Sequence, residues 1–352
     1  MFANVRRVMG MLFCLVMLTG LWFAPVVEAG TLISTKDEIA IGRDVAKQLE
    51  KTYGLVDDPA LQARVNRIGM SLVAVCDRKE LPYTFKVLNS NEINAMAAPG
   101  GFIYIFKGLV DLMPSDDELA GVIGHEIGHV VKRHTVRQME KSLGMSILFA
   151  VLFRERGAFL QSMAYDAIMA GYSREDEREA DYLGFVHSYR AGYNPYSMLL
   201  GLKKLSEIDQ KYHYDLFSDH PEGQARVAAA QNYLNEAKVR PKVVEQQNGK
   251  AAQVVDGEWK LPPMTATVNG YKPVQRAYFT AGALYRISQL PDYSPDKYIL
   301  DNDGSNVIVY YDDRVLATLT SQDATDQGGD ITVMDLAGTY IEQLKGWNKK
   351  DN

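Results

Sequence analysis

His125-Glu126-Ile127-Gly128-His129 places two imidazoles four residues apart around a carboxylate. On an α-helix four residues is just over one turn, so both rings leave one face at a separation that a single metal ion can bridge. Glu126 is then offset toward a metal-bound water and can take its proton as it attacks a carbonyl. The five-residue pattern arises by composition in roughly one chain in a hundred of this length, so it needs a third donor. Ser173-Arg174-Glu175-Asp176-Glu177-Arg178-Glu179-Ala180-Asp181 offers several. A tetrahedral catalytic zinc takes three protein ligands and keeps one position open, and two histidines with one glutamate are a standard set. Glu177 and Asp181 are four apart and share a helix face. Glu177 can ligate while Asp181 accepts the N–H of a ligating histidine and fixes its tautomer. Glu175 and Glu179 lie two residues from Glu177, roughly 200° around the helix, and with Arg174 and Arg178 read as a solvated charged face. His134, five residues past His129, points about 140° from the ligand face. Like His187 and His213, which have no partner motif, it reads as having no role at the metal.

Several elements must hold these groups. Ser115 with Glu118 forms a capping-box pattern that opens a helix running through 125–134, and Ser34/Thr35 with Glu38 opens another over 35–49. Pro59 starts a helix to about Val75, with Leu61, Val65, Ile68 and Leu72 on one face. Helical patterns recur over 142–152, 158–190 and 195–208, and from Pro221 to about Ala237. Between them the period falls to two. Residues 85–88 predict a strand, 95–99 a second extended segment, and 102–106 a hairpin arm after the Gly100-Gly101 turn. Residues 238–263 carry Gln, Asn, Gly, Lys and Pro with little periodicity and read as a linker. Short β-type runs at 298–300, 307–311 and 315–319, split by Asp303-Gly304 and Asp312-Asp313, predict a meander, and 331–346 a closing helix. Asp301-Asn302-Asp303-Gly304 lacks the spacing of a calcium loop and reads as a hairpin turn.

With these motifs in place, the chain resembles the zinc metallopeptidase family that includes the CAAX prenyl proteases, the HExxH gluzincins. The resemblance rests on H-E-I-G-H, then S-R-x-x-E-x-E-A-D, then His220-Pro221 with Arg226, and covers about residues 35–235. It is strongest to the soluble, exported bacterial branch. It implies that His125, His129 and Glu177 hold one Zn²⁺ per chain with Glu126 as general base. It implies a place near the zinc for His220, as an oxyanion donor or as a cap on the metal, and for Arg226 beside it. Asn91–Gly101 resembles the family's edge strand beside the zinc, so that Asn94, Ala95, Met96 and Ala97 would pair with an extended substrate by backbone hydrogen bonds. The fold class expected is α+β: a mainly helical zincin-type domain with a small sheet whose edge strand flanks the zinc, plus a small C-terminal α+β module.

Length and charge bound the rest. At 352 residues the chain is long enough for two domains, and a formal charge of -6 argues against a nucleic-acid partner. Residues 1–30 read as an export signal: Arg6 and Arg7, an apolar run over 8–24, and a small-residue site for cleavage after Ala29. An apolar run of about 17 residues sits at the lower edge of a membrane span, so retention as an anchor is the alternative. No later stretch is long enough to span a bilayer. After cleavage Cys76 is the one thiol, so no internal disulfide is expected and a cysteine-protease reading has no support. The expected organisation is a signal over 1–29, a metallopeptidase domain over 30–240, a linker over 241–264 and a module over 265–352. The resemblance implies hydrolysis of unfolded or misassembled envelope polypeptides, with envelope proteins as partners, and the export signal implies a periplasmic or other extracytoplasmic location. The alternative is a latent protease acting as a chaperone, its zinc capped by His220. The C-terminal module carries no 34-residue repeat, unlike some relatives in the branch.

Overall fold

The computed structural model describes residues 32–144, 156–212 and 223–347. The expectations placed on residues 1–30, 145–155, His213 and His220-Pro221 lie outside the described residues. Helix α1 (Thr35–Tyr53) is capped by Ser34, whose side chain accepts from the Asp37 N–H. Asp37, rather than Glu38, completes that cap, with Ser34 Oγ donating to its carboxylate at 2.7 Å. Glu38 turns inward instead and is buried. Helix α2 (Pro59–Val73) has Asp58 as its cap and Pro59 in its first turn, where the missing N–H costs nothing.

A three-stranded sheet follows, in the order β1 (Thr84–Leu88), β3 (Phe102–Phe106), β2 (Ala95–Ala98). β1 runs parallel to β3, and β2 antiparallel, joined by the Gly100-Gly101 turn at φ of 75° and 96°. One face of the sheet packs Ile103 and Ile105 against Val65, Ile68 and Leu72 of α2. The other packs Met96, Tyr104 and Phe106 against Val45 and Leu49 of α1. Both faces are covered, which is why its strands are nearly continuous apolar runs.

After α3 (Lys107–Leu112), the HExxH segment lies on α4 (Asp116–Val131), which begins with the Ser115–Glu118 capping box and three acidic residues at its positive end. It does not run through 134. Arg133 takes a left-handed turn at φ 56°, and a new helix, α5 (His134–Gly144), starts there. α6 (Arg156–Met169) precedes α7 (Arg174–Arg190), capped by Ser173 with Asp176. α4 and α7 cross at very close range. A Cβ on Gly128 would lie 2.9 Å from the Ala180 backbone, and one on Gly184 would lie 2.9 Å from the His125 nitrogen. Small residues at this crossing bring the side chains of the two helices into contact. α8 (Ser197–Tyr212) and α9 (Gly223–Glu236) complete the helical part.

The stretch read as a linker is a sheet. β4 (Lys242–Gln246), β5 (Ala251–Asp256) and β6 (Trp259–Lys260) pair antiparallel in chain order. β4 is an exposed, polar edge and β5 buries mainly alanine, so neither carries a strong alternating signal. α10 (Pro273–Ser288) packs on this sheet and on the meander β7 (Tyr298–Asn302), β8 (Asn306–Tyr311), β9 (Arg314–Thr320). α11 (Ser321–Thr325) and α12 (Val333–Gly346) close the chain. One apolar core runs from Phe185, Met198 and Leu202 through Ala277 and Leu284 to Leu336. The C-terminal elements are therefore packed onto the helical part. Among the described residues, no helix is long and apolar enough to cross a membrane.

Candidate metal centre

His125 and His129 leave α4 on one face, and Glu177 leaves α7 opposite them. The Nε2 atoms of the two histidines are 2.9 Å apart. Glu177 Oε2 is 3.6 Å from His125 Nε2, and Glu177 Oε1 is 3.4 Å from His129 Nε2. Ligands about 2.0–2.1 Å from a tetrahedral zinc lie about 3.4 Å from one another. Two imidazole nitrogens and a carboxylate converging at these separations fit such an ion. All three side chains are buried, as is Glu126 beside them.

Charge around these donors is balanced by a buried network. Asp181, one turn along α7 from Glu177, faces His125 Nδ1 at 2.9 Å. Arg226 of α9 donates to Asp181 Oδ2 from Nε at 2.8 Å and to Oδ1 from Nη2 at 2.7 Å, while its Nη1 lies 2.9 Å from Glu177 Oε2. Burial alone would raise the Asp181 carboxyl, but Arg226 and His125 hold it below the ordinary carboxylate range. The carboxylate therefore stays an acceptor, and His125 carries its hydrogen on Nδ1, leaving Nε2 bare for a metal.

A cleft opens beside the donors, enclosing about 540 Å³ counted to its mouth. Its apolar lining includes Ile93, Leu109, Val122 and Met198, and its polar lining Asn94, Glu126 and Arg226. Ala95 lines it too. Of the four residues predicted to meet substrate, Asn94 and Ala95 border this cleft. Met96 and Ala97 are buried in the cores on the two faces of the sheet.

Residues 59–234 match the profile of peptidase family M48. The chain belongs to that family. Residues 252–348 match a second profile, a domain of unknown function (DUF8459). The beta-barrel assembly-enhancing protease of Escherichia coli K12 is 32% identical over 236 residues, covering 62% of this chain and 47% of that protein. The mitochondrial metalloendopeptidase OMA1 of Arabidopsis thaliana is 32% identical over 186 residues, covering 52% of this chain and 38% of that one. The metalloprotease YcaL of E. coli K12 is 30% identical over 152 residues, covering 41% of this chain and 59% of that one. The chain thus spans about half the length of the first of these relatives.

The M48 fold also brings in residues that spacing did not point to. His134 Nδ1 lies 2.7 Å from His129 Nδ1, and its Nε2 lies 3.1 Å from Glu179 Oε2. Helical spacing points His134 away from the ligand face and puts Glu179 on a solvated charged face; the left-handed turn at Arg133 overturns the first expectation, and the partial burial of Glu179 against His134 and Arg137 overturns the second. Glu179 is half-buried and held below the ordinary carboxylate range: burial opposes this, but hydrogen bonds from His134 and Arg137 prevail. Glu175 is exposed, as expected. Tyr172 stacks on the His129 ring at 3.8 Å and 20°, with its hydroxyl 2.9 Å from Thr135 Oγ1. Burial pushes that phenol well above its usual range, so it stays neutral. No local signal marks the turn at Arg133. It is fixed by Glu38, which accepts from Arg133 Nε at 2.9 Å and from both Arg78 Nη atoms at 3.1 Å.

Proposed function

We propose that the chain is an exported zinc-dependent endopeptidase that cuts unfolded or misassembled envelope polypeptides. The observation that carries this reading is the convergence of His125, His129 and Glu177 beside Glu126 at one end of an apolar cleft. When bound, zinc supplies Lewis acidity and lowers the pKa of a water toward about 7. Glu126 accepts the proton of the attacking water and returns it to the leaving amine. Asp181 orients His125, and Arg226 keeps Asp181 ionised and pairs with Glu177 inside a buried site. An extended peptide entering beside Asn94 and Ala95 would meet the Glu126 carboxylate, because all three border the same cleft. The apolar wall suits the hydrophobic side chains that unfolded polypeptides expose.

Arg226, implied by the same resemblance as His220, does reach Glu177 and Asp181. The role of His220, as a cap on the metal or an oxyanion donor, rests on the resemblance alone. Export rests on the reading of residues 1–30 as a signal. The envelope substrates rest on the likeness to a beta-barrel assembly-enhancing protease.

The test is degradation of casein by the full chain, with zinc content measured alongside. Parent protein should cut and hold one zinc. Glu126→Gln should hold zinc and lose about 10²–10⁴-fold in rate. A parent that holds zinc and leaves casein intact, with and without His220→Ala, would contradict the endopeptidase reading.

A further inference from the structure

The two histidines of the metal centre are backed by different chemistry. His125 gives its Nδ1 to the Asp181 carboxylate. His129 meets a third imidazole instead, with Nδ1 facing the Nδ1 of His134 at 2.7 Å. Two ring nitrogens at that distance need one hydrogen between them, with a donor on one side and a lone pair on the other. If His129 ligates through Nε2, its hydrogen is on Nδ1. His134 must then present a bare Nδ1 and carry its own hydrogen on Nε2. That nitrogen faces Glu179 Oε2 at 3.1 Å, with Asp176 Oδ1 at 3.5 Å. The tautomers are thus fixed at both ends, by the metal position and by carboxylates of the helix that supplies Glu177.

We propose that His134 is a positioning residue, selecting the tautomer and ring orientation of His129, with Glu179 in turn selecting the tautomer of His134. This rests on the metal-centre reading above. Tyr172 covers the face of the His129 ring, while His134 meets its Nδ1 edge. The arrangement also keeps a second carboxylate one ring further away from the donors. Glu179 and Asp176 face His134 on the side away from His129, and Arg137 lies 3.1 Å and 2.6 Å from them. The acceptor next to His129 is therefore neutral. A helix continuing unbroken past Val131 could not make this contact; the Arg133 turn is what returns His134 to the site.

Two measurements test it. The chain has six histidines, so histidine-selective ¹⁵N labelling of the zinc-loaded full chain is tractable. The expected spectrum shows an Nδ1–Nδ1 coupling across a hydrogen bond, with His134 protonated at Nε2 only. A His134 protonated at Nδ1 would overturn the proposal without any substitution being made. The second measurement is zinc affinity by chelator competition in parent, His134→Asn and His134→Leu. Asparagine puts an amide oxygen where Nδ1 stood, and should bind within about threefold of parent. Leucine should bind about 10–100-fold more weakly, while the two metal-free variants melt alike. Equal affinity in all three, or equal loss in both variants, would overturn it. Zinc bound equally by all three removes only this inference, whereas a parent that binds none removes the metal centre with it.

Discussion

Two buried ion networks lie in different parts of the chain, built from the same residue types. In the C-terminal part, Asp323 accepts from Arg276 at 2.8 Å and 3.0 Å, and from the backbone of Thr265, Ala266 and Thr320. Arg276 gives two further donors to the carbonyls of Ala266 and Thr318. That network closes on itself and ties β9 and α11 to the segment before α10. In the metal centre, Arg226 and Asp181 are matched just as closely. Their effect, however, is to leave His125, His129 and Glu177 turned toward a common point. An arginine–carboxylate pair buried among backbone donors is structure. The same pair placed behind converging ligands prepares a site for a cation that the protein does not itself supply.

Substitutions can separate the two roles. The largest effect is expected at Glu126→Gln, which should slow peptide hydrolysis about 10²–10⁴-fold while unfolding in denaturant and zinc content stay close to parent. A parallel loss of zinc would blur the distinction between holding the metal and moving the proton. Next comes Asp323→Ala, which strands a buried guanidinium. A loss of about 3–5 kcal/mol of stability is expected, read by urea denaturation, with hydrolysis by the remaining folded protein unchanged. A variant as stable as parent would show that the C-terminal network is not structural.

Acid should distinguish the regions further. His187 is buried on α7, and among the described residues its Nδ1 has no hydrogen-bond partner. Burial pushes its pKa from 6.5 down to about 4. The unfolded chain therefore binds a proton before the folded one does. Stability should fall as pH drops from 6.5 to 4, by about 3 kcal/mol in all, and His187→Gln should flatten that slope. Asp323 titrates later. Burial alone would raise it, but Arg276 and the backbone donors hold it at about 2 against 3.8. Its contribution is complete above pH 3.8 and disappears toward pH 2, a smaller loss of about 2 kcal/mol. Urea midpoints across pH 2–7 for parent and His187→Gln would check both, and a slope unchanged by the substitution would count against the His187 assignment.

What could be read in advance follows the range of the forces involved. His125, Glu126, His129, Glu177 and Asp181 were legible because helical spacing is local, and four residues on one turn need nothing from elsewhere. The sheet order and the α4–α7 pairing were not written in any one segment, although Gly128, Ala180 and Gly184 are their trace. His134 was misread because the helix was extended through a residue, Arg133, that adopts a left-handed conformation under the hold of Glu38, 95 positions away. The β4–β6 sheet reads as a linker because β4 is an exposed strand and β5 buries only Ala251, Ala252 and Val254, a short apolar side that α10 completes.

The central claim is one cation held by two imidazoles and a carboxylate from two crossing helices. Zinc content with zinc-edge X-ray absorption on the purified full chain tests it most directly. The account predicts one zinc per chain with two nitrogen and at least one oxygen neighbour at about 2.0–2.2 Å, the oxygen shell altered and zinc weakened in Glu177→Gln. A chain purified without zinc that takes up none on addition, or a zinc shell untouched by Glu177→Gln, would contradict it.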